Sequence, residues 1–105
     1  MRGARARVLI YAAAPSEEPD AVETAYHQIS RALSGTPGLL GNELLRAADD
    51  PAAFVVMSEW ESLAAFRRWE EGAGHRDTTA PLRRHQRAPG HSPFGIYEVK
   101  ADYSA

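Results

Sequence analysis

Apolar residues recur with two different periods along this chain, and the switches between them mark its elements. Arg5 to Ala12 alternates, with Val8 and Ile10 to one side and Leu9 and Tyr11 to the other, which predicts a first strand. Pro15, Ser16 and Pro19 interrupt it as a loop. From Asp20, a residue type that caps helices, Val22, Ala25, Tyr26, Ile29 and Leu33 follow at helical spacing, and Gly35 closes the helix. Thr36, Pro37 and Gly38 turn the chain into a second strand, Leu39 to Arg46. Asp49, Asp50 and Pro51 turn it again, so Ala53 to Trp60 returns antiparallel as a hairpin partner. Ser62 caps a second helix carrying Leu63, Ala65, Phe66 and Trp69, which stops at Gly72 and Gly74. His75 to Arg87 reads as partly helical, since Pro81 is tolerated only near a helix start or in a turn. Ala88 to Pro93 reads as loop and Phe94 to Val99 as a last strand. The order β-α-β-β-α-(α)-β is that of a ferredoxin-like sandwich, an α+β fold with a four-stranded antiparallel sheet and its helices on one face.

Two strands depart from the alternation of a sheet with one wet face. In the third, Phe54, Val56 and Trp60 face one way and Val55 and Met57 the other; in the last, Phe94 and Ile96 oppose Tyr97 and Val99. The chain's own helices cover only one face. A second copy of the chain is the expected cover for the other, giving a homodimer packed sheet to sheet.

Composition narrows the class without changing this picture. A chain of 105 residues, 44% hydrophobic and 25% charged, fits one globular domain over residues 1–105. A net charge of −2 with no long basic stripe argues against nucleic acid as a partner. The basic start from Met1 to Arg7 precedes only a short apolar run, Val8 to Ala14, which a strand explains better than a signal peptide. No stretch approaches the ~18 apolar residues of a membrane span, so neither a membrane nor secretion is expected, and the expected location is cytoplasmic. The absence of cysteine excludes disulfides, thiolate zinc sites and cysteine nucleophiles. No HxH or HxxxH spacing joins any of the four histidines, so no metal site is expected. The segment GTPGLLGN lacks the strand-before, helix-after setting of a nucleotide-binding loop.

The segments PGLLGNELLR, DDPAAFVVMSEWES, AAFRRW and HRDTTAPLR follow one another as they do in the antibiotic biosynthesis monooxygenase (ABM) family, which the chain resembles over roughly Val8 to Val99. The resemblance implies a dimeric α/β barrel with a pocket between each sheet and its helices. It also implies chemistry of the kind known for the best-understood members: oxidation of phenolic rings of aromatic polyketides to quinones by O2, without metal or flavin. Quinone-forming members often carry N-x-x-x-W-E-S at the strand end, with a tyrosine six residues past the tryptophan. Here Trp60 matches, Val56 stands at the asparagine position and Phe66 at the tyrosine position. Haem-degrading members combine a first-strand asparagine, a helix tryptophan and a histidine ten residues on. Here Trp69 matches, but Thr79 replaces the histidine and the first strand has no asparagine, so haem degradation fits less well.

Cofactor-free oxygenation needs a phenol deprotonated near O2 in an apolar pocket that excludes water, and thus a base or donor network beside aromatic walls. Trp60 and Trp69, with Phe66 between them, supply walls that orient a flat ring by stacking; simple core packing under the second helix is the alternative for all three. Val56 completes the apolar lining at the position the resemblance marks. His75, just past Gly72 and Gly74, is the first candidate base, against an exposed loop histidine. His27, beside Tyr26, is the second, against a half-exposed position. His85 and His91 read as solvated. Asn42 and Ser58 fall on adjacent strands and reach for the helix side, although Asn42 also suits a strand entry. Arg83 suits an acidic or phenolate oxygen, against a plain surface charge. Glu59 is expected on the dimer side, with Arg46 as its partner.

The functional expectation is therefore a cofactor-independent oxygenase, using O2 to turn a phenolic ring of an aromatic polyketide or similar compound into a quinone in antibiotic biosynthesis. Two rivals use the same scaffold: a polyketide cyclase or aromatase-like protein moving protons with a histidine, and a non-catalytic ligand-binding dimer.

Overall fold

Among the described residues, four antiparallel strands and three helices follow in the order expected from the sequence: β1 (Ala6–Ala13), α1 (Ala21–Leu33), β2 (Leu39–Arg46), β3 (Ala53–Trp60), α2 (Leu63–Glu70), α3 (His75–Arg83) and β4 (Phe94–Glu98). The structure is a computed structural model that describes residues 4–72, 74–87 and 94–104. The sheet order is β2-β3-β1-β4, all neighbours antiparallel, which places β1 and β3 at the centre and makes the fold a ferredoxin-like α+β sandwich. No helix among the described residues is long and apolar enough to cross a membrane.

Each helix boundary has a local cause. Ser62 has extended backbone, and its hydroxyl accepts the Ala65 N–H at 3.1 Å, satisfying one of the free donors of the first turn of α2. Asp20 differs from the expectation. With φ −94° and ψ 4° it lies in the bridge region and not in the extended conformation of a capping residue, and its side chain makes no cap bond; its carbonyl accepts the Thr24 N–H at 2.9 Å. Gly35 (φ 83°) and Gly38 (φ 84°) take the left-handed conformations that reverse the chain between α1 and β2. Gly38 also lies so close to α2 that a Cβ there would stand 2.5 Å from the Ala65 Cβ.

The helices cover one face of the sheet. Val22, Ala25, Ile29 and Leu33 of α1 pack with Ala12, Phe54 and Leu82 in one core cluster, while Ala6, Val8, Trp60, Ala65 and Phe66 form a second. Past the start of β4, residues 85–87 continue its line along β1: Ala13 N–H donates to the His85 carbonyl at 2.9 Å and Arg87 N–H to the Tyr11 carbonyl at 2.8 Å. This fixes the end of α3 against the sheet. His85 is consequently half-buried rather than solvated.

The other sheet face carries Leu9, Tyr11, Val55 and Met57 at its centre, with Tyr97 (54% exposed) and Leu45 (46%) beside them. One end of this face is charged. Glu59 ion-pairs with Arg7 at 2.9 Å and Arg5 at 3.2 Å, and Arg5 also holds Asp102 at 2.7 Å. Arg46 is not the partner of Glu59. It pairs with Phe54 at the far end of the β2–β3 ladder, whereas Glu59 lies opposite Arg7 on β1.

Candidate functional site

Between the helices and the covered sheet face lies a cavity of about 320 Å³, to which every helix and strand contributes. Its aromatic end is the β3–α2 corner. Ser62 starts α2 immediately after β3, so Phe66 and Trp69, four and seven positions past the cap, return over the strand end. Phe66 meets Trp60 edge to face with ring centroids 5.4 Å apart. Trp69 lies 5.4 Å from Trp60 and 6.0 Å from Phe66 at tilted angles. Trp60 is 1% exposed and Phe66 is buried, so both are core residues and cavity wall at once; Trp69 is half-buried. Val8, Ile10, Ile29, Val56 and Leu82 supply aliphatic walls.

Polar groups reach the cavity from the sheet and from the helices. Asn42 and Ser58 are direct cross-strand partners on the helix-facing side, and both line the cavity. Asn42 Oδ1 accepts from the Tyr26 hydroxyl at 2.5 Å and from the Ser30 hydroxyl at 3.2 Å. Ser58 Oγ accepts the Trp60 indole N–H at 2.9 Å. On the α3 side, Arg83 donates to the Thr79 hydroxyl at 2.6 Å, and both residues line the cavity with Gln86. Glu70 is on the wall too, held by Arg67 at 2.9 Å.

The cavity thus brings together Trp60, Trp69, Phe66, Val56, Ser58, Asn42 and Arg83. His27 is not among them. It lies on the solvent side of α1, half a turn away from the inward line of Ala25 and Ile29, and its Nε2 is 3.7 Å from Glu23. His75 opens α3, four residues before Thr79; its side chain lies outside the described residues, as does the whole of His91. Tyr26 and Ser30 were missed by sequence reasoning as site residues. Their i, i+4 spacing on the flank of the apolar stripe of α1 was the available signal.

The comparisons agree with this architecture. The family model described as antibiotic biosynthesis monooxygenase matches residues 5–81. A 42.8 kDa protein in the whiE locus of Streptomyces coelicolor is 30% identical over 80 residues, covering 76% of this chain and 20% of that protein. A mycobilin-producing haem oxygenase of Mycobacterium tuberculosis is 34% identical over 61 residues, 52% of this chain and 58% of that enzyme. The chain therefore spans about a fifth of the length of the first relative and somewhat over half that of the second. Among solved structures, SnoaB, a cofactor-independent oxygenase from Streptomyces nogalater, superimposes with a TM-score of 0.74 at 20% identity, over 95% of this chain and 96% of that one; at this identity the likeness is one of fold. With the family model spanning β1 to β3, helices α1 and α2 and the tryptophan corner, the chain belongs to the antibiotic biosynthesis monooxygenase family.

Proposed function

We propose that this protein is a cofactor-independent oxygenase that oxidises a phenolic ring of an aromatic polyketide or a similar flat compound to a quinone. The observation that carries the reading is the cavity itself: an aromatic corner of two tryptophans and Phe66, aliphatic walls, and a few polar groups, among them the Asn42–Ser58 pair on the sheet and Arg83 on α3. A flat ring stacks on such walls with about 0.5–1.5 kcal/mol per aromatic pair beyond area burial. The kinship to a monooxygenase family and the fold shared with SnoaB support the same reaction class.

The chemistry runs as follows. A base takes the O–H proton of the phenol, or the C–H proton of its keto tautomer, to give the same anion. The resulting anion passes one electron to O2, and the radical pair closes a C–O bond to form a peroxide. The peroxide O–O bond breaks as that carbon loses its hydrogen as a proton. One oxygen stays as the quinone carbonyl and the other leaves as water. The protein's part is to hold the ring, exclude water and move the first proton. We assign that proton to His75, four residues before cavity-lining Thr79.

Haem as substrate is less well supported, despite the mycobacterial relative. The position of the haem-degrading members' histidine is Thr79, which accepts a hydrogen bond from Arg83. A cyclase acting on a poly-ketone and a binding dimer without turnover remain the competing outcomes of one test. The protein is incubated with an anthrone under 18O2, with and without chelator. The oxygenase reading expects one labelled oxygen in the anthraquinone and no effect of chelation. Dehydration without label supports the cyclase, and tight binding without turnover supports the binding protein.

A further inference from the structure

We infer that Asn42 and Ser58 form a paired donor site that binds the substrate oxygen as an anion, making the cavity selective for ionised phenols or enols over their neutral forms. This rests on the reading of the cavity as a phenol site and names the residues that recognise the reacting oxygen.

The argument is one of hydrogen-bond accounting. A side-chain amide has two acceptor lone pairs and two N–H donors. Both lone pairs of Asn42 are engaged, one by the Tyr26 hydroxyl at 2.5 Å and one by the Ser30 hydroxyl at 3.2 Å. This fixes the amide orientation and leaves the two Nδ2 protons with no acceptor among the described residues. The same holds for Ser58. Its oxygen accepts the Trp60 indole proton at 2.9 Å, and its own O–H has no acceptor among the described residues.

The two residues are register partners on β2 and β3, which sets their Cβ atoms about 4.5–5.5 Å apart. A single oxygen is within reach of both donors from that spacing. Both residues line the cavity, and accepting a hydrogen bond polarises each group and strengthens the donor it has left. Preorganised donors in a water-poor site stabilise an anionic oxygen far more than a neutral one. The charged groups on the cavity wall do not oppose this: Glu70 is paired with Arg67 at 2.9 Å and Arg83 is a cation; Tyr26, the other titratable group there, donates to Asn42. The donor pair also lies beside Val56, where quinone-forming relatives often carry an asparagine: Leu44, two residues beyond Asn42, is the cross-strand partner of Val56.

The experiment uses 2-naphthol, whose anion has its own absorption band, in excess protein without oxygen, titrated through the pH range of its ionisation. The bound naphthol is expected to ionise at least one pH unit below the free compound, an anion preference of about tenfold or more. Asn42→Leu and Ser58→Ala should each remove most of that preference. Asn42→Asp, which replaces donors by a carboxylate, should reverse it. Tyr26→Phe, a positioning change, should weaken it in part. Circular dichroism checks each variant's fold. If the variants do not fold, the wild type still decides, because its affinity for 2-methoxynaphthalene must fall below that for the naphtholate. An unshifted or raised midpoint, no binding, or a preference that survives both Asn42→Leu and Ser58→Ala overturns the inference. Its failure is separable from that of the oxygenase reading. Anthrone turnover without a shifted naphthol leaves the oxygenase and removes the donor pair, whereas a shifted naphthol without turnover does the reverse.

Discussion

The indole N–H of Trp60 donates to Ser58 Oγ at 2.9 Å, two residues earlier on the same face of β3. The bond sits at the junction of core and cavity. Trp60 is the largest fully buried side chain among the described residues, and its one polar side-chain atom is satisfied by a residue that borders the cavity. Removing the acceptor strands a buried donor. Ser58→Val should cost about 1–3 kcal/mol in urea unfolding. Ser58→Thr, which keeps the hydroxyl, should lose clearly less, and equal losses would mean that the bond contributes nothing to stability.

Gly38 gives a second test of how the corner is held. Its φ of 84° disfavours any other residue, and a Cβ would meet that of Ala65 at 2.5 Å, pressing α2 off the start of β2. Gly35 has nearly the same φ, 83°, with nothing near its missing Cβ. Gly35→Ala should therefore cost about 1 kcal/mol from backbone strain alone. Gly38→Ala should cost distinctly more and shift the Trp60 and Trp69 emission, since the aromatic corner hangs on α2. Equal losses in thermal unfolding would show that the close approach is relieved at no cost.

The fold was legible because each element carried its own period and punctuation. β2 and β3 have the bounds read for a hairpin on either side of the Asp-Asp-Pro turn, and the Ser62 cap is where the pattern put it. Asp20 shows the limit: residue type suggests a cap, but the backbone dihedral decides whether the side chain can act as one. The site was legible where it coincided with core periodicity, at Trp60, Phe66 and Val56. It was less so for polar residues. His27 is one residue from Tyr26, yet the 100° step between neighbours on a helix separates cavity from solvent. Tyr26 and Ser30 gain their meaning only through Asn42, a contact between α1 and β2 that no local pattern encodes. The Glu59 pairing failed for the same reason, because it depends on which strand lies beside β3.

The uncovered sheet face makes a prediction about assembly. Leu9, Tyr11, Val55 and Met57 form an apolar centre there. Sedimentation at micromolar concentration should give about twice the chain mass. Met57→Asp should shift the protein towards monomer or unfold it, because burying an unpaired carboxylate costs several kcal/mol. A well-folded wild-type monomer at that concentration would overturn the dimer expected from the sequence.

Independence from cofactors is tested most simply on the purified protein. The chain has no cysteine and no glycine-rich nucleotide loop, and its histidines lack ligand spacing. The preparation should be colourless and oxidise anthrone at an unchanged rate after exhaustive chelation. A flavin or haem spectrum, or activity restored only by added metal, would contradict the proposed mechanism.

The tryptophan corner and His75 separate binding from chemistry. Trp60 and Trp69 are the chain's two tryptophans, 5.4 Å apart at the cavity wall, so a flat phenol bound there should quench the intrinsic fluorescence. Trp69 is half-buried at the edge of the core, and Trp69→Phe keeps an aromatic ring in place. It should preserve the fold and weaken binding by about 1 kcal/mol through poorer stacking. His75→Ala should leave binding nearly intact and lower turnover by about 10²-fold or more if His75 is the general base. The contrast between the two variants carries the test. Trp69→Phe should act on KM and the quench, His75→Ala on kcat. If His75→Ala leaves kcat unchanged, the base is elsewhere or the substrate ionises unaided, and His27 offers no replacement because it faces solvent beside Glu23. If Trp69→Phe unfolds the protein and no phenol quenches the wild type, the aromatic corner is packing alone, and the cavity behind it is not a phenol site.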